Sequence, residues 1–203
     1  MKKLMILSCL TLFLTQMVWA QEKIEAPAWN IGDKWTYKRT DGATFTNEIV
    51  EIKEDLYIMK ASGVRDLYAY DKKTINLKYL IEENGRRIRS TSTARNLFDF
   101  PIFIGKKWKD TTTGIPARGQ TEVTFVNDFK IEGTEEITTP AGTFKAYKIH
   151  YKQINMSMKN DGWALFWYTP NAKTWIKREF EKSSFWVGVT WAQDAELISY
   201  GLK

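Results

Sequence analysis

Histidine and cysteine, two residue types that often carry out catalysis, occur once each in this chain of 203 residues. His150 is the only histidine, and it stands between Ile149 and Tyr151 in a run typical of a β-strand. A nucleophilic triad needs a base that an orienting partner holds in place, and the neighbouring sequence gives no cue to one. We therefore interpret His150 as a structural or surface residue.

Paired carboxylates are the other acid–base candidates, since glycosidases place two of them at one site. Glu135 and Glu136 are adjacent in a predicted strand, so their side chains point to opposite faces. Glu179 and Glu181 share a face, but lysines lie close by in the sequence. The pattern favours solvated surface charge and leaves a carboxylate-based hydrolase as a remote alternative.

Metal and cofactor sites are not predicted. Zinc sites usually take several histidine or cysteine ligands, and the chain has one of each. No acidic loop has the ligand spacing of a calcium site, and no glycine-rich loop of the phosphate-binding kind is present. The sequence therefore predicts no metal, no cofactor and no enzymatic activity.

The most informative stretch is aromatic and covers residues 162–180. Pro170 and Asn171 are typical of a β-turn, so the stretch predicts a β-hairpin. The two faces of its first strand carry Trp163, Leu165 and Trp167 on one side, and Ala164, Phe166 and Tyr168 on the other. Because neither face is polar, we expect one face to join a packed core. The other face is either covered by another element or lines an apolar cavity.

The cavity interpretation gives a candidate site for an apolar ligand or a lipid-modified partner. Its predicted lining from the hairpin consists of Trp163, Trp167 and Trp175. Phe100 and Phe103 belong to a phenylalanine-rich segment that also contains Pro101 and Gly105. That segment is predicted either to plug the core or to form a lid over the apolar groove.

The rest of the sequence is typical of short strands joined by tight turns. Turn signals recur along the chain, at Gly32-Asp33, Asp41-Gly42, Ser62-Gly63, Asn84-Gly85 and Pro140-Ala141-Gly142. Links this short favour antiparallel neighbours. We also expect a strand break at Gly133 and a loop over residues 111–119. The sequence predicts an all-β fold, an antiparallel curved sheet of about a dozen strands with little helix.

Residues 1–20 have the pattern of a cleavable signal peptide. A basic start precedes an apolar run over residues 4–18, and the small Ala20 precedes polar residues. The run is about 15 residues long, shorter than the roughly 20 that span a bilayer. Cleavage is expected after Ala20, and lipoprotein processing at Cys9 is the alternative.

The expected product is a polar lead over residues 21–28 and a single β domain over residues 29–203. Loss of Lys2 and Lys3 would leave 28 basic and 24 acidic residues, so the net charge of +6 becomes +4. This mild charge and the absence of a basic run argue against nucleic acid as a partner. We expect a periplasmic or secreted protein without an integral membrane span after signal removal. A lipid or lipoprotein, or an envelope protein, would be its partner.

Four motifs occur in a characteristic order, namely Trp29-x-x-Gly-Asp-x-Trp-x-Tyr37, Pro101-x-x-x-Gly-x-x-Trp108, Pro140-Ala-Gly-Thr-Phe144, and Trp167-Tyr-x-Pro170 followed by Trp175-x-Lys177-x-Glu179. Together they resemble a group of uncharacterised bacterial envelope proteins, the TapB-like or domain-of-unknown-function family, over residues 29–201. The resemblance implies a twisted antiparallel half-barrel, similar to the lipoprotein carriers of the periplasm. It implies no established catalytic residues.

Two functions from different classes follow from these patterns. The first is an exported, non-catalytic protein that binds an apolar ligand or lipid-modified partner on a concave aromatic face. The second is a structural or interaction module of the cell envelope with a filled core. Such a module would act through an edge strand or through the loop at residues 111–119.

Overall fold

The computed structural model of the protein describes residues 22–88, 96–114, 123–186 and 192–203. The predicted signal peptide at residues 1–20, which includes Cys9, lies outside these ranges. Most of the predicted loop at residues 111–119 lies outside them as well. No helix in the described part of the chain is long and apolar enough to cross a membrane.

The described residues form one antiparallel sheet of twelve strands, with a single 3-10 turn at Ser184–Trp186. The strands are β1 (Lys34–Arg39), β2 (Thr44–Lys53), β3 (Leu56–Ala61), β4 (Leu67–Asp71), β5 (Leu77–Ile81), β6 (Arg87–Ile88), β7 (Lys107–Gly114), β8 (Val123–Thr139), β9 (Gly142–Asn155), β10 (Asn160–Thr169), β11 (Thr174–Phe180) and β12 (Ala195–Gly201). The predicted all-β, antiparallel fold class is confirmed.

Two meanders make up this sheet. Strands β1 to β6 follow one another across one half, and strands β7 to β12 do so across the other half. The halves join where β1 pairs with β12, so β6 and β7 are the outermost strands. Twist accumulates from strand to strand in a sheet of this width. The open sheet therefore curls, and its main core lies on the concave side. A smaller, separate cluster of buried residues consists of Leu56, Ile58 and Ala69.

Local turn chemistry explains the short links. Asp41 and Gly42 connect β1 to β2, as predicted, and Gly42 has a φ of 86°. This left-handed conformation is cheap for glycine and strained for most other residues. The Asp41 carboxylate accepts a hydrogen bond from the backbone N–H of Ala43 at 3.0 Å, which holds the turn in place.

Two predicted breaks do not occur. Strand β8 runs through Gly133 because a bulge between Ile131 and Gly133 absorbs one extra residue while pairing with β9 continues on both sides. Residues 111–114, predicted as part of a loop, belong to β7 and pair with β8. In both places a long partner strand pairs with the segment and keeps it extended.

Residues 96–106, which precede β7, contribute to the concave side. Phe98 and Ile102 in this segment are buried, with exposed fractions of 5% and 0%. Ile102 and Ile24 exchange two backbone hydrogen bonds of 2.8 and 2.9 Å, so part of the predicted polar lead is tied to the same segment. In the structure, residues of this segment complete the core.

Gly162 offers a test of this packing. A Cβ atom at Gly162 would lie 2.5 Å from Cδ1 of Phe185 and 2.8 Å from Nε1 of Trp186, whereas a Cβ atom at Gly201 would meet nothing within 4 Å. We expect Gly162→Ala to lower the free energy of unfolding by about 1–3 kcal/mol through overpacking. Urea unfolding measures the change, and Gly201→Ala is the matched strand control. Equal stability of the two variants would contradict the packing described here.

Candidate ligand groove

A cavity of about 590 Å³ opens on the concave side of the sheet. We call it the aromatic groove and define it by six rings in its lining, those of Phe45, Tyr68, Tyr70, Tyr151, Phe166 and Trp175. Its volume falls in the range of small-molecule sites, roughly 300–1,000 Å³. Both meanders contribute, since Phe45 and the Tyr68–Tyr70 pair come from β2 and β4 and the other rings from β9, β10 and β11.

Strand register sets the orientation of these rings. Phe166 lies opposite Ile149 of β9 and Arg178 of β11. Directly paired residues of neighbouring strands point to the same face, so these three side chains share the concave side. A bulge between Trp167 and Tyr168 then shifts the pairing so that Tyr168 faces Trp175. The bulge brings Trp175 to the concave side as well.

Tyr37 forms a support beneath the groove. Its ring stacks between Trp175, at a centroid distance of 4.1 Å, and Phe45, at 5.1 Å. Its hydroxyl donates to the backbone oxygen of Trp175 at 3.1 Å and lies 3.0 Å from the Thr174 hydroxyl oxygen. Burial raises the pKa of the Tyr37 hydroxyl well above its usual value, so this ring stays neutral.

The two tyrosines of β4 lie on the opposite wall of the groove. Burial raises the pKa of the Tyr70 hydroxyl strongly. Burial also raises the pKa of the Tyr68 hydroxyl, with a further contribution from the negative charge of Asp66. Both hydroxyls therefore remain protonated at neutral pH, and this wall carries no negative charge.

Two arginines join the rings in the lining. The guanidinium carbon of Arg178 lies 4.9 Å from the ring centroid of Trp175 and 5.8 Å from that of Phe45. Its Nε donates to the backbone oxygen of Gln193 at 2.9 Å. Arg39 lines the groove from the end of β1. Among the described residues that line the groove, none is acidic, and Arg39 is paired at 2.8 Å with the Asp41 carboxylate of the adjoining turn. The lining therefore combines apolar rings with polar side chains such as Asn47 and Ser62.

The predicted tryptophans are divided between the two faces of the sheet. Trp175 lines the aromatic groove. Trp163 lies on the opposite face, is 38% exposed, and has its ring 6.2 Å from that of His150. The structure therefore does not bring Trp163 and Trp175 together.

Trp167 also lies on the face away from the groove. It is only 4% exposed, because Lys148 and Lys177 of the neighbouring strands lie over its ring at 5.7 and 5.1 Å. Its Nε1–H donates to the Glu135 carboxylate at 2.9 Å. A charged layer thus covers this tryptophan, and it does not line the groove.

The two predicted phenylalanines also lie outside the lining. Phe100 packs against Phe98 and Tyr168, with ring centroids 5.7 and 5.8 Å apart. The ring of Phe103 lies 5.8 Å from the Lys106 ammonium nitrogen. The segment that contains these residues reaches the groove through Leu97.

Two of the acid–base candidates, Glu135 and Glu179, form ion pairs with lysines on the outer face. The hydrogen bond from Trp167, followed by that from Lys148, holds the pKa of Glu135 below its usual value. Glu179 forms an ion pair with Lys177 at 2.7 Å. No group of three or more His, Cys, Asp or Glu side chains suited to a metal occurs in the described parts of the chain.

Most of the groove was not anticipated from the sequence. Phe166 lies on the face of the hairpin opposite to the predicted lining residues Trp163 and Trp167. The sequence predicted Tyr68 and Tyr70 only as residues of a strand. One sequence signal pointed to the correct face. Arg178 and Phe180 share one face of β11, whereas Lys177 and Glu179 lie on the other, and a cation among aromatic residues is typical of a polar group within an apolar site.

Residues 107–183 match the family model described as DUF3108-like. This segment includes strands β7 to β11, and therefore the hairpin with Phe166 and Trp175. The match supports the domain-of-unknown-function part of the predicted resemblance and does not extend to the TapB-like name. A search of curated proteins by sequence finds no match.

Comparison with solved structures finds a protein with a similar fold. The hypothetical lipoprotein YmcC from Escherichia coli K12 has a TM-score of 0.52 at 10% sequence identity, over 89% of this chain and 90% of that chain. At this identity the similarity shows a shared fold. No catalytic family is indicated by these comparisons.

Two further structures give lower scores. A Bacteroides fragilis protein described as having a YmcC-like fold has a TM-score of 0.39 at 15% identity, over 88% of this chain and 99% of that chain. A lipoprotein candidate from Parabacteroides distasonis has a TM-score of 0.41 at 16% identity, over 89% and 100% of the two chains.

Proposed function

We propose that this protein is an exported, non-catalytic envelope protein that binds an apolar ligand in the aromatic groove. The observation that carries the proposal is a concave cavity of about 590 Å³ whose lining includes six aromatic rings. A pocket of this size with apolar walls and a few polar groups is the usual form of a small-molecule site. The ligand is a free lipid or the lipid moiety of a modified partner.

The proposed location has separate support. Residues 1–20 have the composition of a signal peptide, and cleavage after Ala20 would leave the β domain of residues 29–203 with a short lead. The YmcC structure, which shares the fold, is described as a hypothetical lipoprotein. Both point to the periplasm or the cell exterior.

The proposed ligand contacts differ from the first set drawn from the sequence. Trp175 is kept, and Phe166 and Phe45 replace Trp163 and Trp167, which face away from the groove. Phe100 and Phe103 are assigned a supporting role, since their segment contributes Leu97 to the lining.

A titration with the neutral fluorescent probe N-phenyl-1-naphthylamine tests this function. We expect saturable binding to the purified mature protein. Trp175→Ala is expected to weaken binding by about tenfold or more, because a large aromatic wall is lost. The matched control is Trp163→Ala, which removes an exposed tryptophan on the other face and should leave binding unchanged.

Circular dichroism and urea unfolding establish that both variants are folded before binding is compared. Absence of saturable binding by the folded wild-type protein at high micromolar probe would overturn the proposal. Equal loss in the two tryptophan variants would place the site elsewhere.

A second candidate function, an envelope interaction module, is favoured by one observation. In the described sheet, β7 lies at the end of the strand order and pairs only with β8. An outer strand of this kind presents backbone donors and acceptors that an extended partner segment can pair with. Co-purification of an envelope protein that is lost when a proline replaces Thr111 in β7 would support this function.

A further inference from the structure

A second cavity, of about 530 Å³, opens beside the aromatic groove. We call it the polar cavity, because six of its eight described lining residues have polar side chains, namely Lys78, Arg87, Asn96, Asp110, Thr111 and Thr112. Leu77 lines both cavities. Asn96 lines the polar cavity, and its neighbour in the chain, Leu97, lines the aromatic groove. The two cavities are therefore adjacent.

A chain of hydrogen bonds joins the two linings. The Tyr151 hydroxyl, which belongs to the lining of the groove, donates to Oδ1 of Asn127 at 2.9 Å. The Asn127 amide nitrogen donates to Oδ1 of Asp110 at 2.6 Å and to Oγ1 of Thr112 at 3.2 Å. Both of these acceptor residues line the polar cavity, and Asn127 itself is fully buried. The buried amide therefore fixes the positions of the carboxylate and the hydroxyl.

Strand register explains why these polar side chains face inwards. Asp110 of β7 pairs with Asn127 of β8, which pairs in turn with Gln153 of β9. Directly paired residues point to the same face, so this polar row shares the concave side with Tyr151, two positions before Gln153. Hydrogen-bonded groups in a protein interior can be replaced by apolar groups of the same shape with little loss of stability. Stability alone therefore does not account for a polar row at this place.

The fixed groups keep hydrogen-bonding capacity. A carboxylate has about four acceptor sites. Asp110 uses one for the amide of Asn127 and one for the backbone N–H of Asn96 at 2.9 Å. The Thr112 oxygen accepts from Asn127, and its own O–H is a donor. Donors and acceptors side by side suit hydroxyl groups, because each hydroxyl both donates and accepts.

The charges around the polar cavity are of both signs. Lys78 forms ion pairs with two aspartates at 2.8 and 3.0 Å. The guanidinium carbon of Arg87 lies 5.1 Å from the ring centroid of Tyr79, and Asp110 supplies a negative charge. Because neither sign dominates this lining, it matches an uncharged polar group better than an ion.

We infer that the ligand of the aromatic groove is an amphiphile with an uncharged head group that carries several hydroxyls, such as a sugar. The hydrocarbon chain lies against Phe166 and Trp175 in the groove. The head group extends past Leu77 into the polar cavity, where its hydroxyls bind Asp110 and Thr112. This inference rests on the proposed function and adds the chemical class of the ligand.

Competition against N-phenyl-1-naphthylamine tests the inference on the purified mature protein. Octyl β-D-glucoside and octan-1-ol have the same hydrocarbon chain, and only the first carries a sugar. Both are used below the concentration at which micelles form. We expect the wild-type protein to bind the glucoside about tenfold more tightly than the alcohol, which corresponds to one or two net hydrogen bonds. Free glucose, which lacks the chain, should not displace the probe at the same concentrations.

Two pairs of variants locate the head group. Asp110→Asn keeps the shape of the side chain and removes its charge, so it should abolish most of the preference for the glucoside and retain octan-1-ol binding. Its control is Asp128→Asn, the same substitution on the outer face, where Asp128 pairs with Lys109 at 2.9 Å. Thr112→Val removes one hydroxyl from the polar cavity and should reduce the preference by a smaller factor. Its control is Thr113→Val, one position along β7 and outside the lining. Circular dichroism establishes that each variant is folded.

The possible results separate the two proposals. If neither the probe nor either eight-carbon ligand binds to the folded protein, the proposed function fails. If the glucoside and the alcohol bind equally well, the groove binds ligands but the inference about the head group is overturned. The inference is also overturned if Asp110→Asn and Asp128→Asn lose the preference to the same extent, or if free glucose displaces the probe as effectively as the glucoside does.

Discussion

Replacing Asp33 with alanine is expected to lower the free energy of unfolding by about 3–5 kcal/mol, as is typical when one partner of a buried ion pair is removed. The Asp33 side chain is fully buried. Its carboxylate accepts from the backbone N–H of Lys203 at 2.7 Å and of Asn30 at 2.9 Å, and it pairs with Lys173 at 3.3 Å. One side chain thus ties together the start of β1, the end of the chain and the β10–β11 turn.

Equilibrium urea unfolding with tryptophan fluorescence measures this effect. Glu48→Ala is the control, because it removes an ion pair with Lys34 in which both side chains are exposed. Such pairs contribute about 0–1 kcal/mol. Asp33→Asn keeps one acceptor oxygen and should fall between the two variants. A loss at Asp33→Ala no greater than that at Glu48→Ala would show that the carboxylate is not a structural link.

Phe98→Ala is expected to be about as damaging, with a loss of about 3–5 kcal/mol. The ring is buried against Phe100 and Tyr168. Asn76 fixes the backbone at this point, since its amide donates to the Phe98 oxygen at 2.6 Å and its carbonyl accepts from the Phe98 N–H at 3.0 Å. Removal of the ring leaves a cavity. The two hydrogen bonds to Asn76 hold the Phe98 backbone in place, so the backbone cannot move inward to fill it.

The same variant distinguishes a core plug from a lid. Phe103→Ala is the control within the segment, because the half-buried Phe103 ring lies beside Lys106 and its loss should cost about 1 kcal/mol. Urea unfolding ranks the two variants, and probe binding is measured on each. A lid would give the opposite pattern, with nearly unchanged stability in Phe98→Ala and altered binding kinetics.

The fold class could be predicted because its signals are local. Alternating strands and turn residues such as Asp41-Gly42 each fix a few neighbouring dihedral angles, and short links allow only antiparallel neighbours. The residues next to Gly133 do not indicate that the strand continues through this position. The expected break is avoided because β9 pairs with β8 on both sides of the bulge, and that pairing depends on Lys148 and Ile149, which are distant in the sequence.

The candidate site was harder to predict because the hairpin is apolar on both faces. Alternation correctly separates Trp163 and Trp167 from Phe166, but it does not say which set faces the concave side. The neighbouring strands determine which face is concave, because they place Lys148 and Lys177 beside Trp167 on the outer face. Trp175 reaches the groove through a bulge, and single-residue insertions of this kind leave no clear trace in the sequence.

The pairing of β1 with β12 has a consequence for the biogenesis of the protein. During synthesis β1 emerges first among the twelve strands and β12 last, so the joint between the two meanders closes only when nearly the whole chain is available. Contacts of such large sequence separation carry a high loop-closure entropy and slow folding. Until β12 arrives, β1 presents an unpaired edge next to Trp35 and Tyr37, and this edge is the point at which nascent chains are most exposed to aggregation.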